Sequence, residues 1–137
     1  MTLAELESTA HPLALYRNHL EFNGYKVEET DERIFCRHSR KSNLILRDLP
    51  NRGVLVTTIY ALKPEVDRLD LLEYVNHMNS EFFFLKGYAA DVSGLSLVLE
   101  TFYEGEYNRQ NFNLLLENIE IDILRLFDNQ STEQFLS

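Results

Sequence analysis

From Pro12 to Asn23, Leu13, Tyr16 and Leu20 recur at helical spacing, and Leu15 and Phe22 widen the same apolar face. Pro12 suits a first helical turn, where its missing N–H costs nothing, and Gly24 suits the residue just past the end. Extended stretches follow. Tyr25 to Glu29 and Arg33 to His38, separated by Thr30-Asp31-Glu32, read as one bent strand or as two pieces. Asn43 to Leu49 comes next. Pro50-Asn51-Arg52-Gly53 is a turn, since Pro pre-sets φ and Gly supplies a permissive position. Val54 to Ala61 is rich in β-branched residues and reads as a strand.

Pro64 opens a second helical pattern, with Leu69, Leu72, Val75 and Asn79 as its stripe, Leu71 and Met78 alongside, and Glu65 and Asp67 in the first turn. Phe82 to Ala90 reads as a strand, Asp91-Val92-Ser93-Gly94 as a turn, and Leu95 to Tyr103 as its hairpin partner. Leu95, Leu97 and Leu99 share one face of that strand, while Val98 and Phe102 make the other face partly apolar. The last helix runs from Asn108 or Asn111 to Phe127 with two stripes. Phe112, Leu115, Leu116, Ile119, Ile123 and Leu126 form one; Leu114, Ile121, Leu124 and Phe127 form the other. Two apolar stripes need two surfaces to pack against, and the second is expected to be another subunit. The order α-β-β-β-α-β-β-α predicts an α+β fold with an antiparallel sheet packed with helices, not a parallel wind. A single domain over 1–137 is expected, with 1–10 and 129–137 as flexible ends.

Composition narrows the function classes. With 45% hydrophobic residues the chain has matter for a core. The net charge of −9 disfavours nucleic acid and anionic membrane surfaces as partners. One cysteine, Cys36, allows no intramolecular disulfide, and the start carries Glu5 and Glu7 where a secretory signal would be basic and apolar. No apolar run reaches the roughly 20 residues of a membrane helix. The cytoplasm is the expected location. The charge is uneven: six Lys/Arg against Asp48 give +5 between Arg33 and Arg52, leaving −14 for the rest. This basic hairpin either balances acidic neighbours or docks an acidic partner.

Candidate chemistry is thin. His11, His19, His38 and His77 show no ligand spacing, so neither metal nor cofactor is expected. Cys36 alternates with Ile34 on a strand and reads as core filler. Glu100, Glu104 and Glu106 have no matched basic or metal partner and read as a solvated loop. Asn76 and Asn79 either read a partner's backbone or tie their helix to the next strand. Gly87, Gly94 and Gly105 are too dispersed for a phosphate loop. Phe82, Phe83 and Phe84 are consecutive, so a strand cannot turn all three inward.

Phe22-Asn23-Gly24-Tyr25, Tyr74-Val75-Asn76-His77-Met78-Asn79, and Gly94 with Leu95-Ser96-Leu97-Val98-Leu99-Glu100 resemble the YbjN-like family of bacterial proteins, within the class I type III secretion chaperone-like fold. The resemblance covers nearly the whole chain. It implies a small acidic cytosolic protein, often a homodimer, that binds protein segments. The expectation is therefore a non-enzymatic, chaperone-like or regulatory module. Arg37, Arg40, Lys41, Phe83, Val98 and Phe102 are its candidate partner-binding residues, and Leu114, Ile121 and Leu124 its candidate dimer interface. The alternative is a small-ligand sensor with a pocket lined by Phe, Tyr and Leu.

Overall fold

The computed structural model describes residues 11–91 and 94–137. In chain order the elements are α1 (Ala14–Phe22), β1 (Lys26–Glu29), β2 (Arg33–Arg37), β3 (Leu44–Leu49), β4 (Gly53–Ala61), α2 (Arg68–Glu81), β5 (Lys86–Asp91), β6 (Leu95–Glu104), α3 (Arg109–Asp128) and α4 (Thr132–Phe135). The six strands form one antiparallel sheet in the order β1-β2-β3-β4-β6-β5, and the fold is α+β as its sequence pattern predicts. The chain divides into two compact units, residues 1–57 with 102–112 and residues 58–101 with 113–137.

In the first unit the two extended pieces after α1 are separate strands. Thr30 donates its N–H to Arg33 O at 2.9 Å, closing a hairpin that pairs Val27 with Cys36. Four strands, not three, therefore precede α2. Gly24 takes φ +93° behind α1, the left-handed position its sequence context predicts. The core gathers Ile34 and Cys36 on β2, Leu46 on β3 and Val54 and Val56 on β4. Burial pushes the Cys36 thiol up to about 12, so it packs as an apolar group. Tyr16 stands edge-on to Tyr103 and Phe112, with centroids 5.8 and 4.9 Å away. Gly53 is obligatory: a Cβ there would lie 2.0 Å from Tyr103 O.

In the second unit α2 starts at an Asp67 cap, whose carboxylate accepts from Asp70 N at 3.1 Å; Pro64 and Glu65 lie ahead of the helix. Its buried face is Leu71, Tyr74, Val75 and Met78, a strict i, i+3, i+4, i+7 set, whereas Leu69 and Leu72, expected inside, are exposed. Tyr74 explains the correction. Its ring stacks on Phe135 at 4.5 Å, and its hydroxyl is 2.7 Å from Thr132 Oγ1, which in turn donates to Leu126 O at 2.6 Å. The C-terminal residues are tied to β4 as well, through Ser137 N to Ala61 O at 3.0 Å and Lys63 N to Phe135 O at 2.7 Å.

The segment Phe82–Leu85, expected to begin a strand, does not join the sheet. Phe82 closes α2 by donating to Met78 O at 2.9 Å. The next three N–H groups, of Phe83, Phe84 and Leu85, all donate to the Asp122 carboxylate, at 3.2, 2.7 and 2.8 Å. Asp122 is 0% exposed, on the buried side of α3. A carboxylate thus replaces the ladder partners these amides would otherwise need. β5 begins only at Lys86, whose ammonium caps Asn79 O and Phe82 O at the end of α2. The Asn79 amide then accepts from Gly87 N at 2.8 Å and donates to Gly87 O at 3.0 Å. This settles the two readings of Asn79 in favour of the structural tie. Among the described residues no helix is long and apolar enough to cross a membrane.

Replacing Asp122 by Ala leaves three amides without their acceptor and is expected to lower unfolding free energy by about 2–4 kcal/mol in urea titrations. Asp122→Asn, which keeps one acceptor oxygen, should lose less. A drop below about 1 kcal/mol for the alanine variant would show that the turn stands without its carboxylate. Gly87→Ala puts a methyl 2.6 Å from Leu99 Cδ2 and Met78 Cε; its expected cost is about 1–3 kcal/mol by the same measurement. The raised Cys36 pKa keeps the native thiolate scarce, so a thiol reagent should label folded protein slowly up to about pH 10 and rapidly once urea unfolds it.

Candidate protein-docking face

α3 begins where Asn108 accepts from Asn111 N at 3.0 Å, and its two stripes then separate by burial. Phe112, Ile119, Ile123 and Leu126 are buried. On the opposite face Leu114, Ile121 and Leu124 are 54%, 42% and 61% exposed. Seven and three residues apart, they form one ridge along the helix.

Asp122 brings a second apolar group to α3. By holding the Phe83 and Phe84 amides it fixes that turn against the helix and leaves both rings outside, Phe83 at 67% exposure. The Arg125 guanidinium lies 4.3 Å from the centre of the Phe83 ring and donates to Glu81 O at 3.2 Å, so a cation–π contact joins Phe83 to the helix. A shallow hollow of ≈ 680 Å³ opens beside it, lined by His77, Glu81, Phe83, Arg125 and Asp128. His77 and Glu81 approach to 3.0 Å on its wall.

The other expected site residues fall differently. Val98 is 3% exposed, buried in the sheet, and offers nothing to a partner. Both faces of the sheet are covered at that point, because Leu97, Val98 and Leu99 are all buried. Phe102 is exposed and belongs to the first unit. Arg37, Arg40 and Lys41 are exposed around the β2–β3 connection of that same unit. The bend there is shaped by His38, whose Nδ1 accepts from Arg40 N and Lys41 N at 2.9 and 3.1 Å.

Sequence reasoning missed Asp122 and Arg125, while Phe84 is, with Phe83, one of the three consecutive phenylalanines that could not all turn inward. Asp122 carried a signal: it interrupts the series Leu115, Ile119, Leu126 at a position that helical periodicity turns inward. A carboxylate placed there needs donors, and a run of amides between two elements can supply them.

The first unit holds a second hollow, of ≈ 560 Å³, lined by Leu15, Tyr16, Asp48, Arg52, Glu106 and Tyr107. Burial, then Tyr103 and Asp48, push the Tyr16 phenol up to about 12, so it faces this hollow as a neutral hydroxyl. Among the described residues no group of three His, Cys, Asp or Glu side chains gathers to hold a metal ion.

No protein-family model and no curated protein matches the chain. Among solved structures it is similar to the crystal structure of YbjN from E. coli, a protein assigned provisionally as a transcription regulator. The TM-score is 0.67 and the identity 16%, over 91% of this chain and 95% of that one. Identity that low carries the fold and not the residues of a site. The resemblance read from the Phe22–Tyr25, Tyr74–Asn79 and Gly94–Glu100 segments is thus borne out at the level of architecture: this chain is built on the fold of YbjN.

Proposed function

We propose that this chain is a non-enzymatic protein-binding module of the cytoplasm, chaperone-like or regulatory, that holds a segment of another protein on the exposed face of α3. The observation that carries the reading is the ridge of Leu114, Ile121 and Leu124 with Phe83 held beside it. Apolar side chains of this size lose hydration favourably when covered, up to about 1.5–3 kcal/mol each for complete burial. The similarity to YbjN supports a regulatory setting. A net charge of −9 favours action through a protein over direct contact with DNA. Homodimerisation through Leu114, Ile121 and Leu124 is the competing use of the same face.

The small-ligand alternative draws on the first unit's hollow and its Tyr16 hydroxyl. A thermal-shift screen against metabolites separates the two, since a ligand at 100 times its Kd adds about 2.7 kcal/mol.

A photo-crosslinking residue in place of Leu124, in the full chain expressed in its native host, should give discrete adducts, and one in place of Glu28 should not. Ile121→Ser with Leu124→Ser should alter folding stability by only about 0.5 kcal/mol while reducing adducts of a crosslinker at position 114. Equal labelling from positions 124 and 28 would remove α3 as the docking face. Sedimentation of the purified protein reports whether the adduct is a second copy.

A further inference from the structure

The acidity of this chain is concentrated in the unit that bears the ridge. That unit, residues 58–101 and 113–137, has four Lys/Arg against twelve Asp/Glu, a formal −8; the other has nine against ten, −1. Outside its buried side, α3 carries Glu117, Glu120 and Asp128 after its first turn, against Arg125 alone. Arg125 is already engaged with the Phe83 ring and Glu81 O. The apolar strip therefore lies in a negative field whose one cation, exposed at the surface, is engaged with an aromatic ring.

We propose that this face takes a basic amphipathic helix of a partner protein, an inference that rests on the docking function above and names its partner class. Three observations select this occupant. The first is charge. A second copy would bring two units of −8 together, with Glu117, Glu120 and Asp128 of each in the same contact, and that repulsion opposes an isologous dimer here. A segment rich in Lys or Arg converts the same field into attraction and faster encounter. The second is the backbone: strand addition at the start of β5 is opposed because the Asn79 amide already takes both the N–H and the C=O of Gly87. The third is spacing: Leu114, Ile121 and Leu124 present anchors along about 15 Å of helix, a separation that a partner helix meets with its own i, i+3, i+7, i+10 apolar positions.

The test is a fluorescence anisotropy titration of the full chain with three labelled synthetic peptides of roughly 18 residues. One carries Leu at helical spacing with Lys elsewhere, one has the same Leu positions with Glu, and one is the Leu/Lys composition in scrambled order. The Leu/Lys helix should bind, and its affinity should fall about 10-fold between low and physiological salt. Ile121→Ser with Leu124→Ser should weaken binding at least about 10-fold, and Glu117→Lys with Glu120→Lys by a similar factor. Circular dichroism checks that these surface variants remain folded. Equal binding of the Glu peptide, equal binding of the scrambled peptide, or unchanged affinity in both double variants overturns the inference. So does a dimer in sedimentation that the serine pair dissociates, which assigns the face to a second copy. An adduct at position 124 whose partner segment is acidic or neutral overturns the basic class and leaves the docking function standing. Failure of both crosslinking and peptide binding removes the two together.

Discussion

The Asp122 carboxylate, wholly buried on α3, accepts three successive backbone N–H groups from Phe83, Phe84 and Leu85. A buried carboxylate is tolerated only where donors meet it, and buried amides are tolerated only where an acceptor meets them. Each requirement is satisfied by the other. The consequence is geometric. The chain leaving α2 is pinned to α3 before it enters β5, and two phenylalanine rings are turned outward that would otherwise have been drawn into a strand.

The second unit then shields backbone while displaying side chains. Asn79 covers the Gly87 N–H and C=O on edge strand β5, and Lys86 caps the carbonyls at the end of α2. The short edge strand β1 carries Lys26, Glu28 and Glu29, and charge on an edge discourages further pairing. Apolar surface is left instead on α3 and at the Phe83 turn, as well as at Leu69 and Leu72 of α2, as side chains and not as ladder hydrogen-bonding groups. Negative charge is concentrated in the unit that bears the α3 surface, and like charge of this kind opposes contact between two copies.

Much of the fold was legible because periodicity reports which way a residue points. The buried stripe of α3, the turn at Pro50–Gly53, the left-handed Gly24 and the core position of Cys36 all follow from spacing and from the conformations that Pro and Gly permit. The second stripe of α3 was legible in the same way, and its residues are the exposed ones. Misreadings arose where a long-range polar contact overrode local preference. Phe82–Leu85 has strong strand character, yet the amides of Phe83, Phe84 and Leu85 go to a residue 37 or more positions away. Leu69 and Leu72 looked like a core stripe until Tyr74 turned the opposite side of α2 toward Thr132 and Phe135. Val98 looked like an outer-face residue because alternation along one strand cannot report whether the far side of a sheet is covered.

By itself, then, the sequence determined the element types, the α+β class, the acidic character and the surplus of apolar positions on the last helix, because these depend on composition and on the angle between neighbouring side chains. Only the tertiary structure decided which surplus residues stay outside, and that Phe83 joins them. That choice depends on which distant donor meets the Asp122 carboxylate, and spacing along one chain holds no record of it.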